Sequence, residues 1–233
     1  MPIAEDVKKE LKKLENKKLK ELLQGYFKTG KGEYGEGDIF LGIKVGPQRE
    51  IASRYKDLSL KDIKELLDSR IHEYRLTALL ILINKYNKTD EKGKKEIFET
   101  YMKKRGRINN WDLVDLSAPK IVGSYLADKD RKILYVLAKS ENVWDRRISI
   151  ISTFAFIRSN DFKDAVSMAE ILVKDKHDLI HKAVGWTLRE IGKRNLKIEE
   201  EFLKKHYKKM PRTMLRYSIE KFDNKKKKFY MQK

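Results

Sequence analysis

The chain repeats itself at an interval of about 35 residues, and no other feature narrows the possible folds so far. Similar helix openings recur at Arg75 (Tyr74-Arg75-Leu76-Thr77-Ala78), Asp112 (Trp111-Asp112-Leu113-Val114), Arg147 (Arg146-Arg147-Ile148-Ser149) and Lys182 (His181-Lys182-Ala183-Val184), spaced 37, 35 and 35 residues apart. A fifth falls near Arg216. A unit of this length holds two helices. Neither helix pair buries its apolar side alone, so each stacks on its neighbours. The expected fold class is all-α, a helical solenoid whose concave face is lined by the second helix of each pair.

The local pattern agrees. Leu11, Leu14, Leu19, Leu22 and Leu23 mark a first helix, and Leu58 to Leu67 another, with Ser59 as N-cap and Asp62 at its third position. Leu76 to Ile83 is apolar on every side and predicts a buried helix beginning near Glu73. Further helices are predicted near 94–104, 112–126, 130–138, 144–157, 161–174, 178–192, 197–208 and 212–222. No Val/Ile/Thr run alternates between turn residues, so no strand is expected. Gly30, Gly32, Gly35 and Gly37 crowd one segment, residues 28–38, which reads as a flexible connection, although a basic Gly-rich loop also suits a phosphate backbone. Residues 42–47 read as a turn before a helix, not a phosphate cradle. One repeat domain is expected over residues 1–223, followed by a basic tail at 224–233.

Charge points to the partner. Lys and Arg number 54 against 35 acids, a net +19. Such a charge opposes compaction until something neutralises it. Polyphosphate is the usual answer, because Lys and Arg release its condensed counterions. The bland alternative is a generally Lys-rich composition, with Lys225-Lys226-Lys227-Lys228 a solvated run. The absence of Cys excludes disulfides, thiol nucleophiles and Cys-based zinc sites. The first twenty residues lack an apolar core of the signal-peptide kind, and no window approaches eighteen apolar residues. A cytoplasmic, nucleoid-associated monomer without membrane contact is expected.

Candidate site residues emerge when the repeats are overlaid. Trp111, Asp115, Trp144, Arg147, Trp186 and Arg189 fall within an arc of about 160° on a common helical wheel. Ile151 and Phe154 share that arc, so part of it reads as core. Trp111 and Asp115 stand at i and i+4, one above the other. Spacing alone leaves Trp111 a core aromatic or a surface π face, and Asp115 a cap, a salt-bridge acid or a functional carboxylate. Trp186 lies between Lys182 and Arg189 and reads either as core with snorkelling cations or as a ring for stacking on a base. His177 and His181 have metal-pair spacing but no further ligand beyond nearby Asp178, so no metal is expected. No Walker or dinucleotide fingerprint is present, and no cofactor is expected.

These segments resemble a known family. Asn110-Trp111-Asp112-Leu113-Val114-Asp115, Asn142-Val143-Trp144-Asp145-Arg146-Arg147 and Lys182-Ala183-Val184-Gly185-Trp186-Thr187-Leu188-Arg189-Glu190 are similar to signature segments of the AlkD family of DNA alkylation-repair glycosylases. Tyr26-Phe27, Phe40-Leu41-Gly42-Ile43-Lys44 and Glu73-Tyr74-Arg75-Leu76-Thr77-Ala78-Leu79 extend the resemblance to roughly residues 20–220. It implies a right-handed solenoid of HEAT-like repeats that cups duplex DNA, and excision of cationic N3- and N7-alkylated purines such as 3-methyladenine and 7-methylguanine. Asp115 would be the catalytic carboxylate, with Trp111 and Trp186 flanking the damaged nucleotide. Arg147 and Arg189 would hold the DNA and Tyr26 would line the same cleft. Lys182, Trp144 and Arg146, in the same segments, complete the expected DNA-binding set. Two other readings remain: a non-catalytic HEAT-like module binding DNA or RNA, and a protein-binding solenoid, which the +19 charge disfavours.

Overall fold

A computed structural model describes residues 2–232. Among them the regular structure is helical, with one isolated parallel bridge, Ile39 to Ile71, and no strand. The backbone divides into two compact units that meet in sequence at Ser117 and Ala118.

Unit 1 contains α1 (Ala4–Lys12), α2 (Lys17–Tyr26), α3 (Val45–Arg54), α4 (Leu60–Leu67), α5 (His72–Tyr86), α6 (Glu91–Lys104) and α7 (Trp111–Ser117). The first predicted helix is two. Asn16 interrupts it, accepting the Leu19 N–H at 2.9 Å to start α2, and Leu14 and Leu22 are exposed while Leu11 is buried. Ser59 caps α4 through the Asp62 N–H at 3.1 Å, as expected. The apolar run lies in α5, buried from His72 to Ile83 and packed by α1, α3, α4, α6 and α7.

Unit 2 contains α8 (Lys132–Ala138), α9 (Val143–Ser152), α10 (Phe154–Arg158), α11 (Lys163–Leu172), α12 (Asp178–Gly192), α13 (Leu196–His206), α14 (Arg212–Ser218) and α15 (Asn224–Met231), after a π-helical turn at Pro119–Gly123. The expected 112–126 and 144–157 helices are each broken, the first by the π turn and the second at Thr153. Gly123 explains the π turn's fit, since a Cβ there would lie 2.2 Å from the Ser152 carbonyl. Helix α12 is the centre of this unit, packed by α9, α11, α13 and α14. Gly185 permits the α14 contact, because a side chain there would meet the Met214 carbonyl at 2.5 Å. Helix α15 is capped by Asp223.

The repeat has a structural signature that refines its register. The fourth residue of α5, α9 and α12 reaches back six residues to the turn before its own helix. Arg75 donates to the Ser69 carbonyl (3.0 Å), Arg146 to Ser140 (2.8 Å) and His181 to Asp175 (2.5 Å). These bonds help to satisfy the turn carbonyls, and Ser69 also accepts from Arg107 at 2.9 Å. Sequence overlay sets Arg147 beside Arg75, whereas in structure the counterpart of Arg75 is Arg146.

Candidate functional site

In unit 1 the site is built around the start of α7. Asn110, fully buried, accepts the Trp111 N–H on its side chain (2.8 Å) and the Val114 N–H on its carbonyl (3.2 Å). Trp111 and Asp115 are therefore one turn apart, and both are half-buried. The Trp111 ring is stacked on Phe27 at 5.1 Å and 12°, and the exposed Tyr26 ring meets its edge at 5.8 Å. Phe27 in turn stacks on Phe40 at 5.0 Å. One face of the indole is thus fixed by core aromatics and the ring reaches the surface, a placement intermediate between the core and surface readings.

Beneath these rings lies a buried charge network that sequence reading missed. His72 Nε2 meets the Asp112 carboxylate at 2.8 Å and its Nδ1 meets Asp38 at 3.4 Å. Arg75 donates to the same Asp38 oxygen at 2.6 Å. The imidazole stacks on Phe40 at 4.4 Å. Burial alone would lower the His72 pKa, but Asp112 and Asp38 outweigh it and raise it from 6.5 to about 9. Burial likewise works to raise Asp38, but His72 and Arg75 hold it below its ordinary value. His72 is therefore an imidazolium at neutral pH, tying residues 28–38 to the first turn of α7. The sequence signal was the pairing of His72 and Arg75 at i and i+3, at the start of a largely apolar helix.

The Gly-rich segment is consequently held, not loose. Asp38 is buried, Gly30 and Gly32 donate to Glu33 and Glu36 at 2.8 Å each, and Arg70 reaches the Gly37 carbonyl. The following turn does form an anion cradle, but its occupant is internal. The Leu41, Gly42 and Ile43 N–H groups converge on the Glu73 carboxylate at 2.9, 2.8 and 3.2 Å. Gly42 sits at φ +85°, and a Cβ there would lie 2.2 Å from the Asn16 carbonyl, so no other residue fits.

Asp115 stands next to α6. Tyr101 on that helix is fully buried, with its hydroxyl 3.0 Å from Ser117 Oγ. Burial pushes the Tyr101 phenol well up; Ser117 opposes the rise and the Asp115 charge adds to it. A surface hollow of about 400 Å³ in unit 1 lies elsewhere, lined by Lys56, Asp57, Lys85, Lys88 and Glu96.

In unit 2, Trp186 is half-buried on α12, its ring edge-on to Phe154 at 4.6 Å and its Nε1 donating to Glu190 at 3.1 Å. Arg189 pairs with Glu220, and Lys182 with Asp178 at 2.6 Å. The α9 candidates lie deeper. Trp144 and Arg147 are 7% and 4% exposed, and Arg147 donates to the Leu179 carbonyl at 2.5 Å. Arg146 is held by Asp175 at 2.7 Å and by the Ser140 and Glu141 carbonyls. The Ile151 and Phe154 side chains of the shared arc are buried too, so on α9 that arc faces the core. His177 caps α12 by accepting the Leu179 N–H (3.2 Å), and His181 donates to Asp175, so both rings have helix-start roles. Among the described residues no group of three or more potential ligands gathers at one point, and no helix is long and apolar enough to cross a membrane.

Chemically, unit 1 offers a carboxylate one turn from a braced indole, and unit 2 a second indole among surface cations. Known proteins share this fold. The chain matches, with 90% of its length, 97% of a protein from Enterococcus faecalis described as a predicted DNA alkylation repair enzyme, at TM-score 0.70 and 18% identity. AlkD2 from Streptococcus mutans matches at TM-score 0.56 and 18% identity, over 88% of this chain and 99% of that one. The protein smu.31 from Streptococcus mutans UA159 matches at 0.54 and 21%, over 77% and 93%. No curated protein matches. The profile of the family described as DNA alkylation repair enzyme matches residues 7–222, nearly the whole chain, and the protein therefore belongs to the DNA alkylation repair enzyme family.

Proposed function

We propose that the protein is a DNA glycosylase that hydrolyses the N-glycosidic bond of cationic N3- and N7-alkylated purines in duplex DNA, with Asp115 as its essential carboxylate. The observation that carries this reading is the half-buried Asp115 one turn from Trp111, whose ring is braced from behind by Phe27.

An alkylated purine already bears positive charge and departs as a neutral base. No general acid has to protonate it, which suits a unit whose one histidine, His72, is buried and committed to two carboxylates. As the bond to the sugar breaks, positive charge develops there. A carboxylate in a partly desolvated place stabilises that charge and orients the attacking water. The Trp111 face attracts the same cation, and Trp186 supplies a second π surface in unit 2. Lys182, Arg189 and Tyr26 lie near enough to the surface to meet the DNA backbone. Arg146 serves that surface from beneath by holding the Ser140 and Glu141 carbonyls and Asp175, Arg147 holds the Leu179 carbonyl, and Trp144 is buried beside them on α9.

The direct test is release of methylated bases from methylated duplex DNA by purified protein. Appearance of free 7-methylguanine or 3-methyladenine supports the reading. Salt-sensitive duplex binding with no base release would instead establish a non-catalytic DNA-binding module.

A further inference from the structure

Charge is concentrated at the C-terminal end. Residues 204–233 hold twelve Lys and Arg against two acids, Glu220 and Asp223, so +10 of the net +19 lies in thirty residues. The family match stops at residue 222, just before α15. This helix lies outside the segment that the family profile matches.

It is docked and not loose. The Asp223 side chain accepts the Lys226 N–H at 2.9 Å and starts the helix. Tyr230 is 4% exposed, with its ring 5.3 Å from Tyr207 and 5.8 Å from Phe222. Lys226 pairs with Glu200, and Arg212 donates to the Met231 carbonyl at 2.9 Å, closing the far end of the helix. With that side anchored, Lys225, Lys228 and Phe229 fall in an arc of about 100° turned away from Tyr230, and all three are exposed. At the end of α13, Lys204, Lys205, Lys208 and Lys209 are exposed as well. Tyr207, in their midst, packs against both Phe229 and Tyr230. The two lysine clusters are thus joined through Tyr207 into one patch.

We infer that α15 and the end of α13 form a second DNA-binding surface, which grips the phosphate backbone of the duplex independently of Asp115 and Trp111. The inference rests on duplex DNA being the partner. Cations this dense repel one another and need a dense counter-charge, which duplex phosphates supply at about one per 1.7 Å of axis. Because the helix is already docked, little ordering entropy is lost on binding. A membrane surface fits less well: an interfacial helix needs an apolar stripe to insert, and here Tyr230 is buried within the protein, leaving Phe229 alone. The consequence is sequence-independent hold on undamaged DNA, which prolongs each search.

The test uses the full chain carrying Lys208→Gln, Lys225→Gln and Lys228→Gln together, with Lys226 and Tyr230 kept so that α15 stays docked. A charge-matched control carries Lys88→Gln, Lys92→Gln and Lys95→Gln, three exposed lysines of unit 1. Binding to undamaged duplex is measured over a salt series, beside a thermal melt. The first variant is expected to keep its melting temperature and lose about 2 to 3 from the slope of log K against log salt, at about 0.9 per phosphate contact; the control should lose less than 1. Equal loss in both variants would reduce the patch to general charge and overturn the inference. So would an unchanged DNA slope with lost binding to phosphatidylglycerol vesicles. Undamaged DNA keeps this outcome separate from the glycosylase reading: absent base release with a reduced slope would sink the catalysis and leave the surface standing.

Discussion

Each unit is organised by a fifteen-residue helix, α5 in unit 1 and α12 in unit 2, and the two treat charge in opposite ways. Helix α5 buries His72, Glu73 and Arg75 and commits them to Asp38, Asp112 and three backbone N–H groups. Helix α12 keeps its charges at the rim, as Lys182 with Asp178, Arg189 with Glu220 and Lys193 with Glu190. Buried pairs fix geometry, because a charge left alone there is costly. Rim pairs are worth little and are easily exchanged for phosphates. Under the proposed function, unit 1 would hold the reacting group in place and unit 2 would grip the backbone.

The contrast breaks first at Arg75. Arg75→Met leaves the buried Asp38 with only the longer His72 contact, and the expected loss is about 3 to 5 kcal/mol in urea unfolding. A loss below about 1 kcal/mol would show that the network does not hold unit 1 together. The next effect is on pH. The folded pKa of His72, about 9, stands above the ordinary 6.5. Its stabilisation is thus complete below about pH 6.5 and disappears as pH rises through about 9, a span of a few kcal/mol. The groups facing the ring are Asp38 and Asp112, with the Arg75 charge opposing. His72→Gln should flatten the stability profile between those pH values; a slope equal to that of the wild type would assign the effect to another group. The smallest effect on stability belongs to the rim. Arg189→Gln removes a pair with half-exposed Glu220 and should cost less than about 1 kcal/mol in folding, while lowering the salt slope of duplex binding by about 1. A large stability loss with unchanged binding would reverse the comparison.

The helical architecture was legible because the apolar spacing of α4, α5 and α12 is periodic and capped, as at Ser59. The breaks at Asn16, Thr153 and the π turn were not, since each depends on a tertiary contact such as the close approach at Gly123. The overlay of repeats found Trp111, Asp115 and Trp186 at half-buried positions. It also gathered Trp144 and Arg147, because a helical wheel cannot tell the side facing a neighbouring helix from the side facing solvent. The Asp38–His72–Asp112 network escaped notice for a different reason. Its members are 34 and 40 residues apart, and sequence spacing reports only on neighbours along one helix. The basic tail was read by composition, yet Tyr230 docks it as a helix.

The central claim is that Asp115 does chemistry and not folding. Its most direct test compares wild type with Asp115→Asn on methylated duplex DNA under single-turnover conditions, with duplex affinity and melting temperature measured beside it. The account predicts that 7-methylguanine release falls by at least about a hundredfold while affinity and melting temperature stay close to those of the wild type. Full release by the Asn variant would contradict it.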